Sequence, residues 1–298
     1  MKIYQSLSCA AVLLWLASVC HAQTADPQSG QPHNGQPPNG QPPNGQPLNG
    51  QPLWEAGVAA GGVSQQAYPG SDQQVKRALV LPYVAYRGRY LRADRDGVQV
   101  RGYKSDVLEV DLSFAASLGS SSSDIVARRG MPNLGTLVEV GPRANIKLGD
   151  GPIGGRWKLE VPLRAVFDLS NSLAYQGLIF EPKITWFGIT SGGLGYGVSG
   201  SAAVANRKLT DYFYGVAPVY ANASRAAYEA KSGLVNTRLE LGLSQRLNDN
   251  WRLFGFARLD SVAAAANSNS PLVKQTTGTS VGMGLLYTFY RSDSRGAQ

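Results

Sequence analysis

Between Trp157 and Asp168 the chain switches character at every residue. One parity holds Trp157, Leu159, Val161, Leu163, Ala165 and Phe167, all apolar, while the other holds Lys158, Glu160, Pro162, Arg164, Val166 and Asp168. A period of two is that of a β-strand whose two faces meet different surroundings. The pattern returns in Val138 to Leu148, with Glu139, Arg143 and Lys147 on the polar parity. It returns again in Val235 to Arg246, where Thr237, Leu239, Leu241 and Leu243 oppose Arg238, Glu240 and Arg246. In Leu108 to Leu118, Leu108, Val110, Leu112 and Phe114 oppose Glu109, Asp111 and Ser113. These runs are 11 or 12 residues long, whereas strands of soluble domains usually have about 5–6. About 9–11 tilted residues cross a bilayer. Length therefore predicts an all-β fold, a transmembrane antiparallel β-barrel. Beyond the N-terminal leader no segment offers 18 consecutive apolar residues, so helical spans are excluded. A content of 43% apolar and 16% charged residues agrees with a barrel whose outer face meets lipid.

Strands are expected near 54–63, 78–88, 90–95, 98–102, 107–118, 134–149, 155–168, 175–187, 191–205, 233–246, 250–261 and 278–290. That makes twelve, an even number as bacterial barrels require, and ten if the two short runs around Arg95-Asp96-Gly97 are left out. The longest irregular stretches, 119–133, 206–232 and 262–277, are expected as extracellular loops, because periplasmic turns are short. Trp54, Tyr90, Trp157, Trp186, Trp251 and Tyr290 stand near run ends, where interfacial aromatic girdles belong. Gly284-Leu-Leu-Tyr287-Thr-Phe289 resembles the terminal-strand signal of outer-membrane insertion, although eight residues follow Tyr290.

Residues 1–22 read as a secretory signal peptide: Lys2 gives the positive start, Ala10 to Cys20 an apolar run too short to span, and Ala22 the small residue before the cut. Residues 23–53 read as a disordered repeat tether built on Gly-Gln-Pro-x-Asn from Gly30, with proline favouring extended stretches and no apolar periodicity to bury. The barrel is expected over 54–290 and a short tail over 291–298. The leader removes one positive residue and no acid, so the formal net charge falls from +8 to +7. Such an excess suits lipid head groups or glycan phosphates; no nucleic-acid motif is present.

Cys9 and Cys20 lie in the leader, His21 with them, and His33 in the tether, so residues 54–298 contain neither histidine nor cysteine. That removes Ser-His-Asp and Cys-His nucleophile pairs and the usual zinc, copper and haem ligand sets. The expectation is no catalytic residue, no metal and no cofactor. Glu109 with Asp111, and Asp94 with Asp96, are formal carboxylate pairs, but two acids on a barrel strand are ordinarily lumen wall or loop charge. Asp94-Arg-Asp-Gly97 lacks the remaining ligands of a calcium loop.

The candidate functional feature is instead an interior charge network. Facing inward, Glu139, Arg143, Lys147, Lys158, Glu160, Arg164, Asp168, Arg238, Glu240 and Arg258 can pair across strands. Glu181, Lys183, Arg252 and Asp260 share the polar parity. A salt-bridged plug fits these residues at least as well as a conducting pore, because long inward side chains leave a small barrel little lumen.

Several segments, in order, resemble the MipA/OmpV family: Trp54-Glu-Ala-Gly57, Tyr68-Pro-Gly-Ser71, Leu81-Pro-Tyr83, Tyr86-Arg-Gly88 and Leu91-Arg-Ala-Asp94-Arg-Asp-Gly97. Arg128-Arg-Gly-Met-Pro132, Val140-Gly-Pro142, Pro162-Leu-Arg-Ala165, Asp211-Tyr-Phe-Tyr-Gly215, Ala227-Tyr228 and Ser270-Pro-Leu-Val273 continue the series. The resemblance implies a cell outer membrane location and, for some members, a scaffold joining a murein transglycosylase to a peptidoglycan synthase. The Gln-Pro-Asn-Gly tether departs from the family pattern. Two other functions fit the residues: a narrow solute channel, or an adhesin acting through the long loops.

Overall fold

The computed structural model describes residues 51–94 and 97–296; the signal-peptide reading and nearly all of the tether reading lie outside them. Thirteen strand segments form one sheet: β1 (Trp54–Gln66), β2 (Gln74–Arg87), β3 (Leu91–Asp94), β4 (Gly97–Lys104), β5 (Leu108–Ser117), β6 (Leu137–Asp150), β7 (Arg156–Asp168), β8 (Ala174–Phe180), β9 (Lys183–Ile189), β10 (Leu194–Ala205), β11 (Gly233–Arg246), β12 (Trp251–Ser261) and β13 (Thr277–Arg291). Neighbours along the chain pair antiparallel, and β13 returns to β1, with Gly61 opposite Gly284, so the sheet closes.

β8 and β9 are two halves of one stave, because both pair with β7 on one side and β10 on the other. The barrel therefore has twelve staves, and the two short strands beside Arg95-Asp96-Gly97 are among them. The expected unbroken strand over 175–187 is interrupted at Glu181-Pro182. Proline has no N–H to give the ladder, and the break turns Glu181 toward the interior, where it meets two arginines.

Parity holds through the wall. On β11 the outward Leu239, Leu241 and Leu243 are exposed, and the alternate Asn236 and Ser244 are buried. On β13 the outward Val281, Met283, Leu285, Tyr287 and Phe289 are exposed. Where neighbouring strands pair, the ladder leaves no polar backbone edge to lipid, and the apolar outer band replaces a hydrophobic core as the burial term of the wall.

The two ends differ. The connections 67–73, 118–136, 169–173, 206–232 and 262–276 emerge at one end, opposite the chain termini. The turns 88–90, 105–107, 151–155, 190–193 and 247–250 emerge at the terminus end and are short. The aromatics gather at the terminus end: Trp54 stacks on Tyr290 at 4.3 Å, Trp251 lies 4.8 Å from Tyr287, and Trp186 lies 6.4 Å from Trp157 and 4.9 Å from Tyr196.

The long loops pack into a cap. Helix α1 (Arg207–Tyr214) starts at Asn206, whose side chain accepts from the Leu209 N–H at 3.2 Å. Tyr68, Ile125, Met131, Leu134, Val216 and Leu272 form one buried cluster, with Tyr212 and Phe213 packed against it. Leu137, Val166, Ala205, Leu209, Tyr214 and Val235 form another, beneath the helix.

Candidate functional site

The inward face of β5, β6 and β7 carries the first half of a charged belt. Arg143 on β6 reaches both oxygens of Asp111 on β5, with Nε–Oδ1 3.1 Å and Nη2–Oδ2 2.9 Å. The same guanidinium donates to Gln99 at 2.6 Å and to Glu160 on β7 at 3.3 Å. Glu160 also receives Lys158 at 3.3 Å and Lys183 at 3.0 Å, so three cations share one carboxylate. Asn145 donates to the second Asp111 oxygen at 2.7 Å.

The second half runs from β6 through β7 to β12. Arg164 bridges Glu139 at 2.8 Å and Glu181 at 3.1 Å. Arg238 on β11 takes the other Glu181 oxygen at 3.0 Å and Asp260 on β12 at 2.8 Å. Asn236 donates to Asp260 at 2.6 Å, and Arg258 pairs with Glu240, Nε–Oε2 2.8 Å. Between Glu139 and Arg143 the inward position on β6 is Gly141; a Cβ there would run into the Leu163 carbonyl and Arg164 Cα. Glycine thus lets the two strands approach where Arg164 crosses to Glu139. Charge-assisted bonds of this kind are strong only where water is excluded and both partners are satisfied, and Glu160, Asp111, Arg258 and Asp260 are all buried.

Eight of the ten residues expected in the network are therefore brought together: Glu139, Arg143, Lys158, Glu160, Arg164, Arg238, Glu240 and Arg258. Two are not. Lys147 faces Lys158 across the ladder just before a register shift at Lys147/Gly149, is exposed near the terminus-end mouth, and meets no carboxylate among the described residues. Asp168 lies at the opposite mouth. It accepts from Ser170 N at 2.8 Å and Tyr212 Oη at 3.1 Å, and so belongs to the cap. Parity tells which face a residue occupies but not its depth.

Asp111 joins the belt although the sequence grouped it with Glu109; Glu109 instead pairs with Arg101 at 3.0 Å. Gln99, Asn145 and Asn236 were missed, since neutral amides carry no parity signal as sharp as charge.

Above the belt lies a cavity of about 200 Å³. Its floor includes Glu139, Arg164, Glu181 and Arg238, and its roof Tyr68, Leu209 and Phe213 from the cap. The roof is tied down by buried donors. Tyr68 Oη donates to the Leu272 carbonyl at 2.6 Å, Arg128 Nη1 to Phe213 at 2.9 Å, and Ser270 Oγ to Tyr214 at 2.8 Å. Arg225 Nη1 donates to the carbonyls of Ala127 at 2.9 Å and Arg129 at 3.1 Å. Burial pushes the Tyr68 hydroxyl up to about 12, with Arg128 opposing the shift, and raises Tyr212 and Tyr214 as well.

A barrel wall of twelve antiparallel staves, a lipid-facing apolar band and a charged, capped interior define an outer-membrane β-barrel. The chain belongs to the MipA family: the family model described as MltA-interacting protein MipA matches residues 58–289. It lies in the cell outer membrane. No curated protein matches it. Among solved structures it is similar to a bacterial polysaccharide outer membrane secretin, at 10% identity and TM-score 0.38, over 79% of this chain and 99% of that one. It is similar to the NanC porin at 8% identity and TM-score 0.37, over 77% and 98%. The translocator domain of the autotransporter NalP from Neisseria meningitidis gives 12% identity and TM-score 0.38, over 80% and 90%.

Several of the segments that carry the family resemblance meet in the cap. Tyr68 of the first loop, Arg128 of the second, Tyr212 to Tyr214 of the fourth and Ser270 to Leu272 of the fifth are joined by the bonds just described.

Proposed function

We propose that this barrel is a non-catalytic scaffold of the outer membrane that holds cell-wall enzymes, a murein transglycosylase and a peptidoglycan synthase, on its periplasmic side. The observation that carries this reading is an interior crossed by the Asp111–Arg143–Glu160 and Glu139–Arg164–Glu181–Arg238–Asp260 chains beneath a packed cap. A filled lumen leaves the two rims and the lipid face as the working surfaces, which weighs against a solute channel. Membership in a family described as MltA-interacting protein supports the choice of partner. The absence of histidine and cysteine from residues 54–298 supports a role without nucleophilic catalysis.

Short turns face the periplasm in barrels of this kind. The terminus-end rim exposes Arg89, Lys104, Lys147, Arg156 and Arg246 against Asp106, Asp150 and Asp249. Its basic excess is a docking surface for an acidic patch. The test is affinity capture from crosslinked envelopes with wild type and with Lys104→Glu/Arg156→Glu. Wild type should bring down both enzymes, and the double variant should recover several-fold less at equal barrel yield. Recovery of the barrel alone would remove the proposal.

A further inference from the structure

The barrel wall is not uniformly closed. β2 pairs with β1 along its whole length, yet on its other side, among the described residues, it meets β3 only at Tyr86 and Arg87. β5 is paired with β6 throughout, yet β4 reaches it only up to Ser113 among the described residues. The short β3–β4 hairpin thus fills the terminus-end half of the wall and leaves a side opening between β2 and β5 in the loop-end half. The Arg87 N–H to Leu53 and Ala67 N–H to Gln73 bonds fix which β2 residues face β1. By the alternation of an antiparallel ladder, Lys76, Ala78 and Val80 point N–H and C=O into the opening, and Pro82 only its C=O.

Irregular or unpaired backbone at membrane depth is tolerated where it lines protein or a wet cavity, not where it meets lipid tails. The opening has a frame that supplies such a cavity. Above, Arg77 Nη2 donates to the Gly119 carbonyl at 2.6 Å and Gln73 Nε2 to the Asp124 carbonyl at 3.1 Å, clasping β2 to the loop after β5. On the outer surface, Val80 is 71% and Val84 63% exposed. Behind, Ala115, Ala116 and Ser117, at the end of β5 and paired with β6 alone among the described residues, form one wall of the 200 Å³ cavity above the belt together with Leu118.

The chemistry of that cavity selects its occupant. Arg164, Arg238 and Arg258 line it together with Glu139, Glu181 and Asp260, so cations and anions balance. A head group with net charge would leave a buried charge unmatched. Glu139 binds Arg164 through Oε2 alone, and Arg164 uses Nε and Nη2. Glu139 Oε1 and Arg164 Nη1 have no protein partner among the described residues, which leaves on this bonded pair an acceptor for an ammonium and a donor for a phosphate. The volume somewhat exceeds the ~150 Å³ that accommodates benzene, enough for a compact head group but not for an alkyl chain.

We propose that the barrel takes up a single-chain zwitterionic amphiphile with a compact ammonium–phosphate head from the outer leaflet. The head rests in the cavity on Arg164 and Glu139, and the chain lies in the opening beside Val80 and Val84. This uptake is independent of enzyme capture at the other rim.

The test uses the full barrel in nanodiscs and native mass spectrometry. The probe is palmitoyl lysophosphatidylethanolamine, with palmitate and hexadecyltrimethylammonium as charged controls. One bound probe per barrel, favoured at least tenfold over either control and lost in a heat-modifiable Ala116→Trp variant, is the expected result. Equal retention of all three amphiphiles, or an undiminished adduct in Ala116→Trp, overturns it. Hydrogen exchange keeps the question decidable if that variant fails to insert: the amides of Lys76, Ala78 and Val80 should exchange far faster than those of Leu79 and Leu81. Protection of all five would mean the edge is covered by another strand, and would equally overturn the proposal.

Discussion

Arg143 grips Asp111 with two parallel bonds, Nε–Oδ1 at 3.1 Å and Nη2–Oδ2 at 2.9 Å, across the β5–β6 pair. This fork fixes a guanidinium that also serves Gln99 and Glu160. Removing one partner of a buried pair strands the other, at roughly 3–5 kcal/mol, whereas replacing both with apolar residues is often close to neutral. Arg143→Met should therefore lower the urea midpoint of the refolded barrel strongly. Arg143→Met with Asp111→Leu should recover part of the loss. Equal loss in single and double variants would show that the fork is not the unit of stability.

Val161 and Arg164 lie on opposite faces of β7. Val161→Arg places a charge in lipid, at about 2–4 kcal/mol near the bilayer midplane, and should reduce insertion. From parity alone Arg164→Gln should insert normally and alter only conductance or lumen pairing. The structure adds to this, because Arg164 bridges Glu139 and Glu181, and its loss takes the shared cation from two half-buried carboxylates. Arg164→Gln should insert but unfold at lower urea than wild type, with Glu139→Gln relieving part of the defect. Heat-modified gel mobility and urea titration measure both.

These cases mark what the sequence discloses. β6, β7 and β11 are legible because both faces are chemically extreme, and even the two short strands beside Arg95-Asp96-Gly97 are signalled by turn chemistry. The Glu181-Pro182 break was marked by proline, but its inward turn depends on Arg164 and Arg238, which come from other strands. The irregular stretch expected over 206–232 holds a helix, and Asn206 ahead of Arg207–Tyr214 is a readable N-cap. What no local pattern reveals is that Tyr68 and Leu272 meet, 204 residues apart.

The cap should respond to alkali. Tyr68 is raised from an ordinary value of 10.0 to about 12, and it donates its proton to Leu272. A raised folded value means the neutral form is favoured on folding. Its contribution is fully present below about pH 10 and is lost as pH climbs through about 12. Ultraviolet titration should show Tyr68, Tyr212 and Tyr214 still protonated above pH 10.0, the ordinary tyrosine value. Tyr68→Phe should cost about 1 kcal/mol and remove one late proton. Ionisation of Tyr68, Tyr212 and Tyr214 near pH 10 would contradict the cap geometry.

The N-terminal boundary can be placed by deletion. Leu53 N–H donates to Ser294 at 2.7 Å, and Arg87 Nη1 donates to Pro52 at 2.9 Å, so the last residues before β1 are bound to the barrel. Removing residues 31–50 should leave folding unchanged, while extending the deletion through Leu53 should lower thermal stability. A barrel that fails to assemble without 31–50 would make that segment part of the fold.

Single-channel recording in planar bilayers tests most directly the claim that this barrel is a filled anchor. The ion-pair chains through Arg143, Arg164 and Arg238, with the cap above them, predict no resolvable conductance steps from the wild-type protein in molar potassium chloride. Steady, reproducible steps from wild type, of the size a water-filled pore gives, would contradict the account.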